Sequence, residues 1–345
     1  MLDKIEECII KLKSAGSKRI LLQLPDGLKP KVFDIFNRFS KEFSVIVSSD
    51  AFYGACDVGN VESYANVDYI VQFGHSEIPN IKYPRPMMFI EYPYDNKIKI
   101  TYEQFSILKS NGYKTIGVLF SVQYRDQALQ LLDMLKEKSF DAIMGKQDER
   151  LKYPGQVLGC NFSSAHSISL QADAFIVVST GMFHAIGVQL ATDKEVYIFD
   201  VNAMKLISIR DEVDLFLRKR YAKISRALDA RKICVVVDTK IGQYREKLAD
   251  KIIEQAKELG LETVRVEAND VKPTDLENMM CDAVVFTGCP RVPIDDAEKF
   301  RMPILTPPEF QQLFGLKKTR KYVMDEIVSV DGLHLNLSSD KIGRT

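Results

Sequence analysis

Six cysteines stand at positions 8, 56, 160, 234, 281 and 289 of this 345-residue chain, and three of them sit where chemistry is easier to explain than packing. Cys56 lies in "YGACDVG", Cys160 in "VLGCNFSSA" and Cys289 in "FTGCPRVP", each just after Gly or Gly-Ala in an expected loop. Glycine there lets the backbone approach a bulky object closely. The other three read as packing residues: Cys8 shares a helical face with Ile5, Ile9 and Leu12, Cys234 is inside the strand "ICVVV", and Cys281 ends a helix before a buried strand. No pair has CxxC, CxxxC or zinc-finger spacing, and the gaps suggest no disulfide framework. Cys56, Cys160 and Cys289 are thus either joint metal ligands gathered from distant segments or separately packed thiols. Taken jointly, three thiolates suit a soft metal or an iron-sulfur cluster, and three ligands rather than four leave one iron open to substrate.

The elements that must position these thiols come in three passes. Short β-branched runs alternate with stretches of helical period, the pattern of βαβ units and a parallel sheet. Each pass begins with an amphipathic helix (2–15, 102–111, 211–230) and enters a strand: "RILLQL" from Arg19, "KTIGVLF" from Lys114, "KICVVVD" from Lys232. The tripeptides Gln123-Tyr124-Arg125 and Gln243-Tyr244-Arg245, 120 residues apart, open the second helix of passes two and three, where pass one has "PDGLKP". A later strand starts at an aspartate each time, Asp68, Asp173 and Asp282, and each pass closes on an apolar run, "MMFIEYP", "VYIFDV" and "PILTPP". Landmarks recurring in one order argue for triplication.

The expected architecture is α/β: three similar doubly wound domains with parallel sheets, related by a pseudo-threefold axis around a central site. Residues 1–100 carry Cys56, 101–208 carry Cys160, and 209–345 carry Cys289 plus a C-terminal extension. Ligands of such sheets bind beyond the carboxyl ends of the strands, so the three sets of loops converge. Repetition is not strict at the thiols. Cys56 and Cys160 precede their strand aspartates by 12 and 13 residues, whereas Cys289 follows its own by 7.

Composition narrows the function. Lys plus Arg and Asp plus Glu number 47 each, which leaves no overall field to attract nucleic acid or an acidic membrane surface. No apolar run approaches the roughly 20 residues that span a bilayer. The N-terminal stretch "MLDKIEECIIKLKSAG" is amphipathic and charged rather than signal-like, so a cytoplasmic protein is expected, without membrane or nucleic-acid partners.

The sequences "LPDGLK" (24–29), "YGACDVG", "LGCN" and "GCPRV", with the triplicated pattern, resemble the archaeal diphthamide-biosynthesis enzymes of the first step, the 3-amino-3-carboxypropyl transferases, over essentially the whole chain. The resemblance implies a homodimer in which Cys56, Cys160 and Cys289 hold a 4Fe-4S cluster, reduced by an electron donor. It implies that S-adenosylmethionine meets the open iron, that its sulfur–Cγ bond is cleaved, and that the aminocarboxypropyl group joins imidazole C2 of a histidine in translation elongation factor 2, releasing methylthioadenosine. The CxxxCxxC motif of conventional radical enzymes of this cofactor is absent.

Such a reaction requires a grip on the two ends of S-adenosylmethionine, because geometry selects the bond that breaks. Arg125, Arg245 and Arg291 are the candidates for its carboxylate, since a guanidinium makes paired hydrogen bonds to one. Arg125 and Arg245 are equally well read as solvated residues in a helix's first turn, as Gln123 and Gln243 beside them share that position. Gln23 and Asp26 stand at the end of the first strand, although Pro-Asp-Gly is also turn chemistry. Ser179, Thr180, Gly181 and His184 in "STGMFHAIG" form an anion cradle or an ordinary strand-to-helix turn. Asp57 either positions substrate or caps a turn. Three rival functions stand beside this one: a quinolinate synthase-like 4Fe-4S hydro-lyase, a non-catalytic iron-sulfur partner subunit, and a zinc-bound scaffold.

Overall fold

The computed structural model of the chain describes residues 2–50, 52–59, 66–317 and 321–331, so the expected C-terminal extension lies outside the described residues beyond position 331. The first pass forms α1 (Leu2–Ser14), β1 (Arg19–Gln23), α2 (Val32–Phe39), β2 (Ser44–Val47), β3 (Tyr69–Phe73) and β4 (Met87–Ile90). The second forms α3 (Tyr102–Ser110), β5 (Thr115–Phe120), α4 (Arg125–Glu137), β6 (Asp141–Ile143), α5 (Ser163–His166), β7 (Ala174–Ser179), α6 (Met182–Thr192), β8 (Glu195–Asp200) and β9 (Lys205–Ser208). The third forms α7 (Arg210–Ser225), β10 (Lys232–Asp238), α8 (Glu246–Glu258), β11 (Glu262–Ala268), α9 (Pro273–Asn278), β12 (Ala283–Phe286), α10 (Arg291–Asp295), β13 (Ile304–Leu305) and α11 (Pro307–Leu313).

The three sheets share one strand order, β2-β1-β3-β4, β6-β5-β7-β8 and β11-β10-β12-β13, in which each chain pass starts beside the sheet centre and then winds both ways. All these pairings are parallel. The exception to the expected parallel sheets is β9, which returns antiparallel on β8. Central strands are buried along their length, as in β7 and β10, because helices cover both faces.

The repeated aspartates have a repeated task. Asp68 accepts hydrogen bonds from the backbone N–H groups of Lys18 and Arg19 at 2.7 and 2.8 Å. Asp173 does the same for Lys114 and Thr115, both at 2.8 Å, and Asp282 for Arg231 and Lys232, both at 2.8 Å. Each carboxylate pins the start of the neighbouring first strand, and those backbone bonds lower its pKa. The landmark is therefore structural.

The first sheet has its own apolar core around Ile20, Phe39 and Phe73. One continuous core joins the second and third sheets, running from Leu119, Phe162 and Val177 to Val235, Val285 and Phe310. Cys8 is buried beside Met88 with its helical-face neighbours Ile5, Ile9 and Leu12, as packing required. Cys234 and Cys281 correct the expectation of separate thiols: they form a disulfide, with Cα atoms 5.9 Å apart. The 47-residue gap hid the pair, and the parallel pairing of β10 with β12 brings its ends together. Among the described residues no helix is long and apolar enough to cross a membrane.

Candidate functional site

Cys56 is carried beyond the carboxyl end of β2 by a turn in which Asp57 N–H donates to Gly54 O at 3.2 Å. Two buried glutamines, Gln23 on β1 and Gln72 on β3, hold this turn. Gln23 Nε2 donates to Val58 O at 2.9 Å, while Gln72 Nε2 reaches Asp57 O and Gln23 Oε1, both at 3.0 Å. Asp57 accepts from Gly59 N–H at 2.9 Å, and burial raises its pKa. It caps a turn.

Cys160 is at the tip of a tight loop closed by Leu158 N–H to Asn161 O at 3.0 Å. A side chain at Gly159 would come within 2.9 Å of the Phe183 ring and 3.2 Å of Arg291, so this tip fits only because it lacks one. The Cys160 carbonyl accepts from Ile327 N–H at 2.7 Å. Cys289 follows β12 and opens α10, its carbonyl accepting from Val292 N–H at 3.0 Å.

One glutamine joins two of these loops. Gln243 Nε2 donates to Cys56 Sγ at 3.3 Å, and its Oε1 accepts from Cys289 N–H at 3.0 Å. Gly242 N–H donates to Cys56 O at 2.9 Å, and a Cβ on Gly242 would collide with the Cys56 backbone. Arg150 Nη2 donates to Gly242 O at 2.5 Å, bringing in the second pass. Around Cys56, Ala55, Ile78 and Ile81 pack with Leu158 and Ile241, an apolar wall drawn from all three passes.

Burial pushes the Cys56 thiol up to about 12, with Cys160 adding to the shift. Cys160 is raised by burial too, against an opposing effect of the Arg150 guanidinium. Cys289 is raised by burial and by the charges of Cys160 and Cys56. Cys56 and Cys289 thus feel the Cys160 sulfur, yet among the described residues no three His, Cys, Asp or Glu side chains form a group that could hold a metal ion. An all-sulfur donor set beside an apolar wall suits an iron-sulfur cluster by the softness of its donors.

The other candidates scatter. Arg245 is buried and engaged: it pairs with Asp325 at 2.6 Å and donates to Gly288 O at 2.8 Å and to Thr287 O at 2.5 Å. That corrects its reading as a solvated helix residue, because the C-terminal segment supplies an acid that folds over it. Its guanidinium steadies the backbone just before Cys289. Arg125 is partly exposed, stacked 4.5 Å over the Tyr153 ring, and Gln123 Nε2 donates to Gly74 O at 2.8 Å. Arg291 lies 4.7 Å over the Phe183 ring beside the Cys160 loop and is paired with Asp295 at 2.6 Å. Asp26 is an exposed partner of Lys29 at 2.7 Å.

Ser179, Thr180 and Gly181 occupy the turn from β7 into α6, where Ser179 Oγ accepts from Gly181 N–H at 3.1 Å and Thr180 meets Tyr124 Oη at 3.0 Å. His184, one turn along α6, is lowered to about 4 by burial and then by Arg291. This turn therefore borders the Cys160 side of the site through Phe183 and Arg291. Sequence reading did not single out Arg150, Gln72, Phe183 or Asp325. Only Gln72 left a signal, as the lone polar residue in the "YIVQF" strand.

Three comparisons bear on this geometry. A family model described as putative diphthamide synthesis protein matches residues 24–323. The 2-(3-amino-3-carboxypropyl)histidine synthase of Pyrococcus horikoshii is 33% identical over 330 residues, covering 93% of this chain and 92% of that protein. The Methanocaldococcus jannaschii protein of the same name is 27% identical, covering 92% and 89%. Human 2-(3-amino-3-carboxypropyl)histidine synthase subunit 1 is 26% identical, covering 89% and 70%. Among solved structures, Dph2 from Pyrococcus horikoshii with a 4Fe-4S cluster superimposes with a TM-score of 0.83 at 31% identity, covering 94% of each chain.

Proposed function

The chain belongs to the family of putative diphthamide synthesis proteins, and from that premise we propose that it is a 2-(3-amino-3-carboxypropyl)histidine synthase. Its substrates are S-adenosylmethionine and a histidine of translation elongation factor 2, modified at imidazole C2. Cys56, Cys160 and Cys289 are its 4Fe-4S ligands, one from each of the units 1–100, 101–208 and 209–345. The chain acts as a cytoplasmic homodimer fed by a separate electron donor.

When bound, the cluster supplies the electron and the open iron that allow the sulfur–Cγ bond of S-adenosylmethionine to break, leaving methylthioadenosine. The protein's own residues fix the geometry. Gln243 holds Cys56 and Cys289 in one frame, the Arg245–Asp325 pair steadies the carbonyls before Cys289, and the Gln23–Gln72 pair holds the turn after Cys56. The apolar wall around Cys56 limits water at that thiol. Arg291, beside Phe183 and His184 on the Cys160 side of the site, is a group able to meet a carboxylate, and engaging one requires it to share or release Asp295.

The single observation that carries this reading is the Gln243 amide bridging the Cys56 and Cys289 loops of two different passes, with Arg150 of the remaining pass donating to the carbonyl of the adjacent Gly242. Mass spectrometry of elongation factor 2 incubated anaerobically with this chain alone, S-adenosylmethionine and dithionite tests it. An added 3-amino-3-carboxypropyl group on histidine is expected. Unmodified factor with iron-loaded protein would remove the proposal in favour of a hydro-lyase or a partner subunit.

A further inference from the structure

Three arginines are buried among the described residues: Arg150, Arg220 and Arg245. Two have their acids, Arg220 with Glu309 at 2.6 Å and Arg245 with Asp325 at 2.6 Å. Arg150, the largest fully buried side chain among the described residues at 1% exposure, has no carboxylate partner among them. Its Nη2 donates to Gly242 O, while Nε and Nη1 have no hydrogen-bond partner among the described residues. A guanidinium is always charged, and burying it unpaired is among the costliest arrangements a fold can contain. The Gly242 that accepts from it donates in turn to the Cys56 carbonyl at 2.9 Å and packs so closely on Cys56 that a Cβ there would collide with Cys56 Cα, so the guanidinium is set against the Cys56 loop.

We propose that Arg150 is the buried counter-cation of the cysteine-bound cluster, its two unpartnered N–H groups directed to sulfur, and that it sets the cluster's reduction potential. This rests on the function proposed above. Hydrogen bonds to the sulfurs and nearby positive charge both favour the more negative, reduced state of such a cluster. Adding one electron from an external donor builds negative charge beside Arg150, and the guanidinium stabilises that charge without moving. Anchored through Gly242 to the Cys56 backbone, it is a positioning residue that acts through the cluster and touches no substrate.

The test compares wild type, Arg150→Met and Arg150→Lys, each reconstituted anaerobically with iron and sulfide. Iron content, EPR-monitored redox titration and melting of the iron-free proteins are measured. Arg150→Met is expected to melt no lower than wild type when iron-free, since an unpaired buried charge has been removed. When loaded, it should either lose iron or be reduced with at least a tenfold smaller equilibrium constant, about 59 mV for one electron. Arg150→Lys should recover part of that loss. The proposal is overturned if Arg150→Met keeps both iron and potential, if its iron-free fold is lost, or if Arg150→Lys is no better than Arg150→Met. Failure of the wild type to take up a cluster is a separate outcome, and it overturns the functional reading itself.

Discussion

Gln243 uses both ends of one amide on two cysteines of different passes. Groups that hold metal ligands typically matter by 10–100-fold in metal affinity. Gln243→Ala is therefore expected to release iron to a chelator about 10–100-fold faster than wild type, while Gln123→Ala, whose amide reaches only Gly74 O, stays near wild type. Equal release from both would show that the bridge is incidental. The repeated tripeptide made Gln243 visible in the sequence, although its partners were not. Arg150 was invisible because "KQDERLK" mixes both charge signs and only tertiary burial distinguishes that arginine from its neighbours.

At the scale of elements, strand-starting aspartates repeat because each strand pair needs its edge held. The folded pKa values of Asp68, Asp173 and Asp282 lie below the usual 3.8. Their contribution is thus fully present above the unfolded carboxylate value and is lost as pH falls through the depressed folded values. Asp173→Asn is expected to lower stability at neutral pH by about 1 kcal/mol, given solvent screening, with the difference from wild type closing as the pH falls below the ordinary carboxylate value of 3.8. Melting curves across pH check this, and a difference that persists unchanged into acid contradicts the charge-based origin. Alternating strands and helices were legible because parallel strands buried on both faces are continuous apolar runs. Three features escaped. The return strand β9 is short and half-buried, the Cys234–Cys281 pair depends on strand order, and the fate of Arg245 depends on an acid 80 residues away.

For the whole molecule, the segment 321–331 ties the second and third sheets together at the site. Asp325 meets Arg245, Ile327 N–H donates to the Cys160 carbonyl, and Glu326 Oε1 lies 2.8 Å from His166 Nε2. Tyr322 Oη adds a 2.7 Å bond to Glu309 beside Arg220. Breaking the buried Arg245–Asp325 pair from one side leaves a charge without its partner, so Asp325→Ala should cost roughly 3–5 kcal/mol. A thermal or denaturant unfolding curve reads this, and a loss below about 1 kcal/mol would show that water replaces the carboxylate. The triplicated architecture was readable from landmarks in the sequence, whereas this strap was not, because its residues repeat nothing and acquire meaning only by contact. The central claim, that three distant thiols form one catalytic centre, is tested most directly by methylthioadenosine production per bound iron after anaerobic reconstitution. Wild type and Cys8→Ala should both form it, and Cys56→Ala, Cys160→Ala and Cys289→Ala should each lose it together with iron. Undiminished production by any of those three, or none from an iron-loaded wild type, would contradict the account.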